Sequence, residues 1–211
     1  MPTVQHLTPI ERWQGHVTKW RNCQACRLCD QRYKIVLGRG GVPAQVVFLG
    51  EAPGDSENAV GQPFKGPAGN LLDQIVERSV GAFNSVSPIK LSVAYTNLVA
   101  CYPREAKEEG THRPKDDEIS ACHNRLREFL DICRPRFIVA VGALAEDNLP
   151  IVLDSMIYSG GRVEGHATVE KTISIVHPSY ILSRMPIAQQ GMAVQKSIVA
   201  VSTALEEIEW S

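Results

Sequence analysis

The groups in this chain with chemistry to offer are a carboxylate just past an apolar run, a ring in a glycine–proline loop, and scattered cysteines. Val46-Val47-Phe48-Leu49 leads into GEAPGDSENAVGQPFKGPAGNLL, from Gly50 to Leu72. The apolar run reads as a buried strand ending in a sharp turn. Glu51 then sits where open α/β sheets hold their ligands, beyond a strand's carboxyl end. Gln62-Pro63-Phe64 puts an aromatic ring in a loop bounded by Gly and Pro, where burial alone would not call for it. Further on, Leu71, Leu72, Ile75 and Val76 fall at helical spacing. Strand, carboxylate turn, aromatic loop and helix together predict a pocket for a flat polar ring.

The cysteines form a second group. The N-terminus is too polar for a signal peptide, so a cytoplasmic compartment is expected. Six cysteines there argue for metal or redox roles rather than disulfides. Cys23-x-x-Cys26 has the spacing of a metal-ligand pair. Cys101 follows a strand and Cys122 lies on a helix, so the fold itself must bring the two pairs together. Four thiolates from such positions suit zinc or an iron–sulfur cluster equally well. Cys29 is a possible substitute ligand, and Cys133, at the apolar end of a helix, reads as a packed core thiol.

These groups need a scaffold, and its elements are legible. A chain of 211 residues, 44% hydrophobic and 21% charged, fits one α/β domain spanning residues 1–211. No apolar stretch approaches the roughly 20 residues of a membrane span. A net charge of -1 excludes gripping nucleic acid by bulk charge, so any such contact needs a local patch. Thr8-Pro9-Ile10-Glu11 is a capping box that opens a helix to about Trp20. Strands are predicted at Ile35–Leu37, Val46–Leu49, Ser92–Val99, Phe137–Val141 and Thr172–Val176, and helices at 67–80, 115–133, 143–149 and 187–208. Asp116, Asp117 and Glu118 put negative charge in a first helical turn, where the dipole favours it. Alternating strands and helices predict a mostly parallel sheet covered on both faces.

Taken in order, these pieces resemble the iron–sulfur, family-4 branch of the uracil-DNA glycosylases. The resemblance rests on CQACRLC with Arg32, VVFLGEAPG, GQPFKGPAGNLL, Thr96-Asn97-Leu98-Val99 running into Cys101-Tyr102-Pro103, Arg113-Pro114 ahead of Cys122, VAVGA at 139–143, and His177-Pro178-Ser179-Tyr180. It implies a three-layer α/β/α sandwich with a central four-stranded, mostly parallel sheet. It also implies a structural 4Fe–4S cluster on Cys23, Cys26, Cys101 and Cys122, with Cys29 left out. The expected activity is hydrolysis of the bond between uracil and deoxyribose in single- or double-stranded DNA by a monomeric enzyme. No lysine is placed for a Schiff base, so strand cleavage is not expected.

The resemblance also implies roles. A stacked base is out of reach, so the nucleotide must be flipped into a pocket. Phe64 would stack on the extruded base and Asn97 would read its O4 and N3–H edge, which cytosine presents reversed. Glu51 would position water and face the positive charge that builds on the sugar. His177 would donate to O2 of the leaving base. Backbone groups of Ala52 and Gly54 in the turn complete the base-binding set. Ser179, Leu182 and Arg184 lie in a loop running to Pro186 that contacts DNA. Ile181, Leu182 or Met185 would fill the vacated stack and Arg184 would meet phosphate. Lys65, Arg104, Lys107 and Arg113 are further phosphate candidates.

Two departures from the family stand out. Ala52 occupies the place where the best-known branch has a catalytic aspartate, so carboxylate chemistry falls to Glu51, while Asp55 and Glu57 read as solvated loop charges. The link CYPREAKEEGTHRP is longer and more mixed in charge than the family's usual one. It raises two alternatives, excision of a modified pyrimidine such as phage DNA carries, and covalent trapping of DNA through His112. A protein that binds uracil sites without turnover and a cysteine-cluster electron carrier are the other classes.

Overall fold

Thr8 caps the first helix, α1 (Pro9–Trp20), and the reciprocal bonds are made: Glu11 N–H donates to Thr8 Oγ1 at 3.3 Å and Thr8 N–H to Glu11 Oε2 at 2.8 Å. The computed structural model describes residues 7–104, 112–154 and 169–210, together with the backbone of 155–158. A 3₁₀ turn (Arg27–Asp30) and a two-residue strand, β1 (Arg39–Gly40), precede β2 (Val46–Gly50). After it come α2 (Asp55–Val60), α3 (Pro67–Val76), a π-helical turn (Glu77–Gly81), α4 (Ala82–Val86) and β3 (Val93–Asn97). The chain continues through α5 (Asp116–Cys133), β4 (Phe137–Val141), α6 (Ala143–Tyr158), β5 (Lys171–Ile175), α7 (Pro178–Arg184) and α8 (Ile187–Glu206).

The sheet has five strands in the order β1-β3-β2-β4-β5. Four of them, β3-β2-β4-β5, are parallel, as expected, and β1 adds a short antiparallel edge beside β3. Because β2 is central, its crossover runs outward to β3 while that of β4 runs the other way to β5. The strand order therefore reverses between β2 and β4, and open α/β sheets bind ligands at such a point, beyond the carboxyl ends.

Alternation along the buried strands builds the layers. Val46 and Phe48 point into one core with Leu72 and Val76 of α3 and Val201 and Leu205 of α8. Val47 and Leu49 point into the other, with Leu126, Phe129 and Leu130 of α5 and Leu144, Ala145 and Leu149 of α6. The result is the expected three-layer sandwich. Cys133 lies in the second core, where burial pushes its thiol up to about 12.

Three elements depart most from the sequence reading. Ile35–Leu37 is not a strand; Val36 N–H reaches Ala100 O at 2.8 Å, and the ladder forms at Arg39–Gly40 instead. The helix expected at 143–149 continues past Pro150 to Tyr158, because buried Leu149 and Val152 hold its apolar face despite the bond proline cannot make. The loop expected at Ser179–Pro186 folds as α7, with Pro178 at its first position and His177 as its cap. Among the described residues, no helix is long and apolar enough to cross a membrane.

Candidate active site

Gly50 closes β2 and pairs in register with Asn97 at the end of β3. A Cβ on Gly50 would lie 2.5 Å from Asn97 Oδ1 and 2.5 Å from the tip of the Phe64 ring. The missing side chain is what lets the amide and the ring meet. Asn97 is only 2% exposed, yet its amide finds no hydrogen-bond partner among the described residues. A buried amide left open in this way is suited to a ligand.

The Phe64 ring is buried against Tyr95, 6.1 Å between ring centres, and its backbone takes a left-handed φ of 54°. Non-glycine residues rarely hold that conformation unless neighbours fix it. Two side chains do so. Glu57 accepts from Lys65 N–H at 2.7 Å and Gly66 N–H at 2.8 Å with one oxygen, and from Gly54 N–H at 3.0 Å with the other. Arg39, stacked 3.8 Å above Tyr95, donates to Pro63 O at 2.9 Å, to Phe64 O at 3.4 Å and to Asp73 Oδ1 at 2.5 Å. Glu57 is thus no solvated loop charge. It binds the aromatic loop to the turn after β2, and the capping spacing Gly54-x-x-Glu57 was its one signal in sequence.

The Gly54 N–H is committed to Glu57, so it is not an open donor. Ala52 lines the cleft, and its N–H meets no acceptor among the described residues.

Glu51 and His177 approach from either side of Gly142. A Cβ there would stand 3.0 Å from Glu51 Oε1 and 3.1 Å from His177 Cβ, and Gly142 has a φ of +96° that suits glycine alone. His177 Nδ1 accepts from Ser179 N–H at 3.2 Å and lies 2.7 Å from Ser179 Oγ. A backbone amide can only donate, so in the neutral ring the proton sits on Nε2. Burial lowers the His177 pKa, opposed by the charges of Glu51 and Glu57, and favours that neutral form.

These residues share one cleft of about 910 Å³, lined by Glu51, Ala52, Phe64, Asn97, Gly142 and His177 among others. It also brings in Glu146, His112 and Tyr180, which sequence reasoning did not place there as lining residues. His112 is held at its rim, with Nε2 3.2 Å from both oxygens of Glu118. That carboxylate is buried at a helix start and also takes Arg27 Nε at 2.8 Å.

Of the expected DNA-contact residues, Leu182 (44% exposed) and Arg184 project from α7, whereas Ile181 is fully buried and cannot serve as a wedge. Ser179 lines the cleft but spends its polar atoms on His177. Arg113 lies 3.8 Å from Asp147, Lys65 and Arg104 are exposed, and Lys107 falls outside the described residues.

A second, enclosed cavity is lined by Cys23, Cys26, Cys101 and Cys122, with Trp20, Arg32 and Arg125 around them. Cys29 is not among them; its thiol turns to Asp30 Oδ1 at 3.2 Å. Arg32 donates to Cys101 Sγ at 3.3 Å, Ala100 N–H to Cys122 Sγ at 3.4 Å and Arg125 to Cys122 Sγ at 3.6 Å. Donors converging on sulfur suit thiolates rather than thiols. Burial pushes the Cys101 thiol up to about 11, opposed by the Arg32 guanidinium. No three His, Cys, Asp or Glu side chains among the described residues stand close enough to grip a single ion. Four sulfurs thus line one cavity.

Residues 37–195 match the model of the uracil DNA glycosylase superfamily. The chain is 34% identical over 145 residues to a type-4 uracil-DNA glycosylase of Saccharolobus solfataricus, covering 69% of this chain and 62% of that protein. It is 34% identical to one of Sulfurisphaera tokodaii over 75% of this chain and 69% of the relative. A third, from Thermotoga maritima, is 32% identical over 77% of this chain and 79% of its own length.

Proposed function

Because the chain belongs to the uracil DNA glycosylase superfamily, we propose that it removes uracil from DNA by hydrolysing the N-glycosidic bond and leaves an abasic site. The observation that carries this reading is the meeting of Asn97 and Phe64 over Gly50, in the same cleft where Glu51 and His177 flank Gly142.

In this reading a flipped base enters with one face on Phe64. The open Asn97 amide donates to O4 and accepts from N3–H, a pairing cytosine cannot match. The C1′–N1 bond breaks and its electron pair stays on the base. His177 Nε2–H, aimed by Ser179 at the opposite nitrogen, donates to O2 as charge develops there. The Glu51 carboxylate faces the cationic sugar and orients the water whose oxygen joins C1′. That water's proton leaves to solvent or to the departing base. Leu182 and Arg184, exposed on α7, would meet the DNA.

Cys23, Cys26, Cys101 and Cys122 would hold a 4Fe–4S cluster whose contribution is to clamp the N-terminal loop to the segment after β3. The chemistry of their cavity supports that assignment: four sulfurs, converging donors and a buried guanidinium. The protein acts as a monomer in the cytoplasm.

The test is incubation with uracil-containing single- and double-stranded oligonucleotides. Expected are free uracil and alkali-labile sites, both lost in Glu51→Ala and Asn97→Ala. Release from phage-modified DNA but not from uracil-DNA would transfer the activity to a modified pyrimidine. A denaturant-stable adduct that vanishes in His112→Ala would replace turnover by trapping.

A further inference from the structure

We propose that Arg125 is a positioning residue that ties the cysteine site to the base-reading end of β3. The inference rests on the readings above, that the four cysteines hold an anionic iron–sulfur group and that Asn97 reads the base. Arg125 is 1% exposed. One guanidinium nitrogen donates to Thr96 Oγ1 at 2.8 Å; the other donates to Asn97 O at 2.6 Å and Leu98 O at 2.9 Å, and reaches Cys122 Sγ at 3.6 Å. Its Nε, also buried, has no hydrogen-bond partner among the described residues.

The charge makes this arrangement unusual. A guanidinium stays protonated, yet every oxygen it touches here is neutral, and among the described residues no carboxylate pairs with it. A buried charge without a counter-charge is strongly disfavoured. The available counter-charge is sulfur: a cluster held by four thiolates is a net anion, and Arg125 lines its cavity. The same nitrogen that reaches Cys122 Sγ also grips the peptide carrying Asn97. With the anion present, Arg125 is balanced and fixes the backbone from Thr96 to Leu98. With it gone, the buried cation seeks water and that backbone loosens at the residue that selects the base.

The test uses the intact protein purified anaerobically, with Arg125→Met and Arg125→Lys, read by cluster absorbance and reduction potential, by inhibition with free uracil, and by affinity for abasic-site DNA. In Arg125→Met the potential moves to more negative values, since a nearby cation favours the reduced cluster. The inhibition constant of free uracil rises about tenfold, while binding of abasic DNA stays unchanged. Stripping iron from the parent protein raises that constant similarly, and stripping it from Arg125→Met adds little. Arg125→Lys keeps the charge but loses the fork, so its potential stays near the parent's and only uracil binding weakens; this variant decides the matter if Arg125→Met fails to fold. Full iron with unchanged potential and unchanged uracil inhibition in the variants overturns the proposal. A parent protein without iron overturns the cluster reading and the proposal with it, whereas an iron-containing parent that releases no uracil overturns the proposed activity instead.

Discussion

Ser179 meets His177 twice at one ring nitrogen, its backbone N–H at 3.2 Å and its hydroxyl oxygen at 2.7 Å from Nδ1. That junction fixes a neutral ring with its proton on the far side. Burial lowers the His177 pKa, while Glu51 and Glu57 oppose the shift. The imidazole should therefore titrate below the usual 6.5 when followed by NMR. Glu51→Gln, by removing a charge that raises it, should lower it further. A shift upward in that variant would contradict the assigned electrostatics.

Loss of either flanking group should affect the chemical step more than binding. Glu51→Gln and His177→Asn are each expected to slow single-turnover base release by roughly 10²- to 10³-fold. Affinity for uracil-containing DNA should remain within a few-fold. Equal losses in binding and rate would instead mark these side chains as grips on the substrate.

Gly142 offers a geometric test. Gly142→Ala forces a residue with a side chain to hold a φ of +96° and puts a methyl 3.0 Å from Glu51 Oε1. A stability cost of about 1–2 kcal/mol is expected, together with a large fall in excision. Gly15, in α1, has nothing within 4 Å of its would-be Cβ. Gly15→Ala should leave activity intact and stabilise the helix by up to about 1 kcal/mol. Thermal melts alongside excision assays separate the two.

His16 predicts acid sensitivity. It is fully buried and stacked on Trp13 at 5.4 Å; among the described residues neither ring nitrogen has a hydrogen-bond partner, and Glu128 comes no nearer to Nδ1 than 3.5 Å. Burial lowers its pKa to about 4, helped by the Arg125 charge and opposed by Glu128. The unfolded chain takes up the proton first. Stability is therefore fully present above pH 6.5 and is lost as pH falls towards 4, by on the order of 3 kcal/mol. His16→Leu should flatten this part of the profile in denaturant unfolding at pH 7.5 and 4.5.

Much of this site was legible because its polar residues follow apolar runs. Glu51 after Val46–Leu49 and His177 after the last strand are cases where one pattern reveals both element and position. The supporting residues were not. Glu57 and Arg39 hold the aromatic loop through backbone groups eight or more residues distant, and a backbone N–H or carbonyl leaves no mark in sequence. Ser179 follows His-Pro, a placement that conceals in sequence the helix start where its N–H and hydroxyl turn to His177. The same concealed helix carries Ile181 into the core instead of the rim.

The crossovers that place Glu51, Asn97, Gly142 and His177 at the carboxyl ends of four different strands also govern when the site is assembled. Contacts of such wide sequence separation form late, since loop closure must precede them. His177 follows β5, the last strand to be synthesised. A chain still on the ribosome, or cut short before β5 docks, holds a carboxylate and an amide but no partner for the leaving base.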